Sequence, residues 1–94
     1  MNEPRSGQVR AAEHVRFRQI DDELVIVDLQ GGEYFALDAV GLRMWDELLS
    51  GKTPAEVAAT LATEYAADAE QIARDCAALV DELLRRHLLV RATP

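Results

Sequence analysis

A chain of 94 residues has room for one domain with a modest core, and little volume to spare for an enclosed active site. Apolar residues at 49% and charged residues at 29% mark a foldable chain, and a formal net charge of −7 repels phosphate backbones, which disfavours nucleic acid and favours cationic partners. The single cysteine excludes an internal disulfide, and no stretch has the pattern of a secretion signal or the roughly 20 apolar residues of a membrane span, so a cytoplasmic protein without membrane contact is expected.

Residues 1–13 mix Pro4, Ser6, Gly7 and several charges without a period, so they read as a flexible tail ahead of a domain spanning 14–91, with 92–94 as a short tail behind it. From Val15 to Gln19 apolar side chains alternate with Arg16 and Arg18, the pattern of a half-buried strand. Asp21-Asp22 supplies a turn, and the β-branched run Leu24 to Leu29 fits a central strand. Gln30-Gly31-Gly32 is a tight connection, because glycine tolerates the positive φ of hairpin turns, and Glu33 to Leu37 follows as a third strand.

Helices then announce themselves through their ends. Asp38 is a suitable N-cap; Val40, Met44, Trp45, Leu48 and Leu49 keep helical spacing; Gly51 can stop a helix over about 39–50. Thr53-Pro54-Ala55-Glu56 joins a capping threonine, a proline at the first helical position and a glutamate placed to close a capping box. Val57, Leu61 and Tyr65 mark one face of this second helix. Asp68 caps a third, with Gln71 at the box position and Ile72, Cys76, Leu79, Val80, Leu83 and Leu84 as its apolar stripe. Arg85, Arg86 and His87 complement the dipole of its last turn, and Leu88 to Arg91 reads as an extended segment whose destination the sequence leaves open. A meander of three strands followed by three helices is an α+β arrangement.

Catalysis finds little support. Acid–base chemistry needs titratable groups that converge, whereas His14 and His87 fall at opposite ends of the domain. No spacing of Cys, His, Asp and Glu forms a metal-ligand pattern, and Gly31-Gly32 precedes a strand rather than the helix N-terminus that a phosphate cradle requires. Asp21, Asp22 and Glu23 form a charge run at a turn, which is a solvated feature. The expectation is a protein with no catalytic residue, no metal and no cofactor.

The third strand is the anomaly. A meander leaves it at an edge, yet Tyr34, Phe35, Ala36 and Leu37 put apolar groups on both faces and only Glu33 guards it, whereas Arg16 and Arg18 protect the opposite edge. Two readings stand: the third helix covers the edge, or an extended peptide pairs with it by β-augmentation in a groove against that helix.

From about Val15 to Val90 the chain resembles the PqqD-like family, the precursor-recognition domains of ribosomal peptide modification pathways. The resemblance rests on Gly32-Glu33-Tyr34-Phe35-Ala36-Leu37-Asp38, on Gly41 with Met44-Trp45, on Leu48-Leu49-Ser50-Gly51-Lys52-Thr53, and on Tyr65, Asp75, Leu79, Leu83 and Leu88-Leu89. It implies a winged-helix-like fold, a three-stranded antiparallel β-meander followed by three α-helices, in which a precursor leader peptide adds antiparallel to the third strand and touches the third helix. The short free-standing form is most similar to the recognition proteins of lasso-peptide clusters, which deliver the precursor to a separate leader peptidase and cyclase. By position, the resemblance places Glu33, Tyr34, Phe35, Ala36 and Leu37 in the pairing strand. It sets Asp68, Ile72, Asp75, Cys76 and Leu79 toward the peptide from the third helix, with Leu37, Cys76 and Leu79 open to a pure core role. Phe35, Ile72 and Leu79 are its candidates for apolar pockets, and Asp68 and Asp75 for contact with a cationic leader side chain.

Rival readings remain at this level. A PqqD-type chaperone of quinone-cofactor biosynthesis is one. A winged-helix DNA binder is another, against which the third helix begins Asp68-Ala69-Glu70-Gln71, acidic where bases would be approached. A third is a subunit that docks through the Trp45 helix, although Trp45 in step with Leu48 and Leu49 has core spacing.

Overall fold

Alternation and capping place the elements where the side chains require them. The computed structural model describes residues 7–92 and contains, in order, β1 (Val9–Ala11), β2 (Val15–Ile20), β3 (Glu23–Asp28), β4 (Glu33–Leu37), α1 (Ala39–Leu49), α2 (Pro54–Tyr65), α3 (Ala69–Arg85) and β5 (Leu89–Arg91). Strands β2, β3 and β4 form an antiparallel sheet in that order, with β3 central; β1 and β5 form a separate antiparallel pair. Across the larger sheet Ile26 lies between Phe17 and Phe35, and Leu24 opposite Leu37, so one face collects Val15, Phe17, Leu24, Ile26, Phe35 and Leu37. That face is covered by α1, and α2 and α3 pack on each other behind it.

Trp45 anchors the core. It is fully buried among Leu42, Leu48, Val57, Leu61 and Leu83, and its ring meets Phe17 edge-on at 5.0 Å between centroids. Its indole N–H has no hydrogen-bond partner among the described residues. An unmet donor costs about 1–3 kcal/mol, while burying roughly 150–250 Å² of aromatic surface contributes about 4–6 kcal/mol, so burial wins. This also removes the reading in which the α1 tryptophan serves as a surface docking residue.

The helix ends follow the expected chemistry with one exception. Asp38 caps α1 by accepting from the Gly41 N–H, and Thr53 and Glu56 close a full capping box on α2. Asp68 caps α3 through the Glu70 N–H, but Gln71 does not complete a box there: its amide instead donates to Asp75 at 2.9 Å. A glutamine one turn below a carboxylate finds the side chain at i+4 more readily than the backbone behind it.

The start of the chain departs from expectation. Of the residues read as a flexible tail, 1–6 lie outside the described residues, as do 93–94 at the other end. Residues 9–11, however, form β1, which pairs Val9 with Arg91 and Ala11 with Leu89, and Val9 is only 4% exposed. The Ala12 N–H donates to Leu88 and the Ala92 N–H to Gln8, extending the ladder at both ends. Three residues with a single large apolar side chain carry no readable period; the strand exists because β5 arrives beside it. The extended segment after α3 therefore runs to β1 and stays away from β4.

Candidate functional site

Which backbone groups of β4 are available follows from one bond. The Leu29 N–H donates to the His14 carbonyl at 2.8 Å, making those two residues a bonded pair. In an antiparallel ladder such pairs alternate with pairs whose groups point the other way. The unbroken register then assigns Val25 and Val27 to β2, and Leu24 and Ile26 to β4. Opposite them, Phe35 and Leu37 direct their groups to β3, while Tyr34 and Ala36 turn both N–H and C=O outward. No described strand pairs with that side of β4. Four main-chain groups thus stand ready in an extended row.

Beside this row lies a groove of about 550 Å³ lined by Ala36 and Leu37 of β4, Asp38, Val40, Gly41 and Met44 at the start of α1, Asp75 and Leu79 of α3, and Glu23. It is set open by Gly41, where a Cβ would fall 2.9 Å from the Leu37 Cβ, so that only glycine lets α1 start this close to the end of β4. A second recess of about 360 Å³ involves Val40, Tyr65, Ala67, Asp68, Gln71, Ile72 and Asp75, at the corner where α2 turns into α3. Val40 and Asp75 border both, so the groove and the recess adjoin, and together they are termed the channel.

Of the residues singled out from the sequence, Ala36, Leu37, Asp75 and Leu79 line the groove, and Asp68, Ile72 and Asp75 the recess. Cys76 does neither. It is fully buried in the core, and loss of water pushes its thiol up to about 11, so the helical period and not the peptide-facing position describes it. Tyr34 is 74% exposed with its side chain on the sheet face away from α3, contributing main chain to the edge. Phe35 packs on the core side, where the Arg86 guanidinium lies 4.9 Å from its ring centre. Glu33 is exposed at the entrance to β4. Val40 shares the helical spacing of Met44, Trp45 and Leu48, yet unlike them it is exposed. Glu23, Asp38 and Gln71 join the channel only through folding: local pattern marks Asp38 and Gln71 for helix capping and Glu23 for a solvated turn, and none of them for a site.

The two histidines, distant in sequence, both come near Asp28. His14 Nε2 stands 3.8 Å from its carboxylate. The Asp28 carboxyl is held below its ordinary range chiefly by the Gly31 N–H, with further help from the Gln30 N–H and from both histidines. Those amide bonds tie down the β3–β4 turn, where a Cβ on Gly31 would meet the Asp28 carboxylate at 2.8 Å. No cluster able to hold a metal ion occurs among the described residues, and no described helix is long and apolar enough to cross a membrane.

Comparison with known proteins places this geometry in a context. Residues 23–89 match the family described as coenzyme PQQ synthesis protein D (PqqD). Two solved structures are similar over most of their length. TbiB1 in complex with the TbiA(beta) leader peptide is 39% identical, with a TM-score of 0.79, covering 85% of this chain and 93% of that one. A lasso peptide synthetase B1 complexed with the leader peptide is 31% identical, with a TM-score of 0.83, covering 88% of this chain and 98% of that one. None of the curated proteins matches the chain.

Proposed function

The chain belongs to the PqqD family, and from that membership we propose that it binds the leader segment of a ribosomally made precursor peptide and presents it to separate enzymes, a leader peptidase and a cyclase of the lasso-peptide type. The observation that carries this reading is the row of outward main-chain groups on β4 beside a channel walled by α1 and α3. It occurs in a chain similar to two proteins solved with leader peptides bound.

In the proposed mechanism the leader lies antiparallel to β4 and exchanges hydrogen bonds with Tyr34 and Ala36. Four such bonds contribute about 2–6 kcal/mol in total, while micromolar binding requires about 8 kcal/mol after ordering costs. Backbone pairing alone therefore falls short. The remainder comes from side chains of the leader that enter the channel at Leu37, Met44, Ile72 and Leu79. The chain supplies affinity and register, and the bond-making and bond-breaking belong to its partners.

DNA binding fits less well. The start of α3 carries Asp68 and Glu70; Arg74, one turn on, donates to Gln71, and Arg85 and Arg86 lie at the far end of the helix, paired with Glu82.

The test is fluorescence polarisation with a labelled leader peptide from the precursor encoded beside this chain. Ala36→Pro removes an outward donor without touching the β3 ladder, and edge strands tolerate proline; binding is expected to weaken at least about ten-fold while thermal unfolding stays within a few degrees. Phe35→Ala, at a side chain that lines neither groove nor recess, is expected to lower stability through its packing on the core and on Arg86, and to weaken binding only as far as that loss loosens β4. Unchanged binding by the Ala36→Pro variant would remove strand addition from the mechanism.

A further inference from the structure

The recess at the α2–α3 corner has a composition that strand pairing does not explain. Its walls are Val40, Tyr65 and Ile72; Val40 and Tyr65 come from different helices, and both leave large side chains exposed at this one place. Its rim carries Asp68 and Asp75, and the adjoining groove adds Glu23 and Asp38. No lysine, arginine or histidine lines either part.

Three helix carboxylates elsewhere are matched, Glu47 and Glu64 with Arg43, Glu47 also with Lys52, and Glu82 with Arg85 and Arg86, whereas Asp46, Glu70 and Asp81 form no ion pair among the described residues. Asp68 and Asp75 have no cationic partner among the described residues. Asp68 accepts from the Glu70 N–H and Asp75 from the Gln71 amide, both neutral donors, and the other end of that amide accepts from Arg74.

An apolar wall, an aromatic face and uncompensated carboxylates at the mouth together fit one kind of occupant. It has a long aliphatic stem for Val40 and Ile72, and a cationic tip for the rim and for the Tyr65 ring. An acidic side chain would meet like charge. A plain aliphatic one would cover the wall but strip water from the rim without replacing it.

We propose that this recess receives a lysine or arginine side chain of the bound peptide, and that Asp68, Asp75 and Tyr65 select for it. The inference rests on the peptide-binding reading and deepens it. Strand β4 ends at Leu37, and the recess that holds Asp68 adjoins the groove at Val40, beyond that end, so the basic residue lies beyond the paired stretch, on its amino-terminal side for an antiparallel visitor.

The experiment is selection of a phage-displayed library of random 14-residue peptides on the whole chain, followed by polarisation measurements with synthetic copies of the enriched peptides. Lysine or arginine is expected to dominate one position flanking an apolar segment. Exchanging it for glutamine should weaken binding about five-fold, the scale of an exposed ion pair, and the same exchange should have less than about a two-fold effect on the Asp68→Asn, Asp75→Asn double variant. Asparagine caps helices as well as aspartate, so that variant keeps its fold.

Enriched peptides with no basic preference, or an exchange penalty undiminished in the double variant, would overturn the selectivity and leave peptide binding standing. Enriched peptides whose binding ignores Ala36→Pro, or a selection that yields none, would count against the strand-edge reading and take the inference with it.

Discussion

Cys76 shows how residue-scale chemistry separates two assignments. Sequence resemblance points it at a peptide, and helical spacing points it at the core; the structure buries it completely and raises its thiol to about 11. Only the thiolate is an effective nucleophile, and here both charge and access are denied. The folded protein is therefore expected to resist Ellman's reagent at pH 8, with less than about a tenth modified in an hour, and to react stoichiometrically in guanidinium. Prompt reaction under native conditions would mean that this face of α3 opens. Gly41 illustrates the opposite case: its value lies in what it lacks, since a Cβ there would displace Leu37 and narrow the groove.

Among the elements, α2 is the one whose two ends differ most. Its start has the complete Thr53–Glu56 capping box, but its end holds Ala66 in the left-handed region at φ 51° and ψ 43°. That conformation costs an L-residue about 1–2 kcal/mol, against about 0.5–1 kcal/mol for the added freedom of an unfolded glycine. Ala66→Gly is expected to stabilise the domain by up to about 1 kcal/mol, read as a rise in the urea midpoint with unchanged slope; a fall in the midpoint would refute it. The corner formed there brings Tyr65 and Asp68 to the recess, so the variant also tests whether the recess depends on a rigid turn.

For the molecule as a whole, the β1–β5 pair decides where the fold begins. Val9 and Ala12 are buried, and Gln8 reaches the Gly51 carbonyl at the end of α1. A chain shortened to start at Glu13 is expected to lose about 2–3 kcal/mol from apolar burial alone, seen as a lower melting temperature. Unaltered stability would mean that β1 is ornamental.

The sequence by itself determined the elements from β2 to α3, because alternation, capping residues and the Gly31-Gly32 turn are local signals that act over a few residues. It also marked β4 as an underprotected edge, since Glu33 is its one guard. What only the tertiary structure decided was pairing and convergence at a distance. Strand β1 has no period and forms only against β5; Glu23, Val40 and Asp75 meet at the groove, and Val40, Tyr65 and Asp75 at the recess, only when the helices pack. Local sequence sets which conformations are cheap, whereas a channel between elements depends on how far apart packed side chains hold them, a quantity no short window of residues contains.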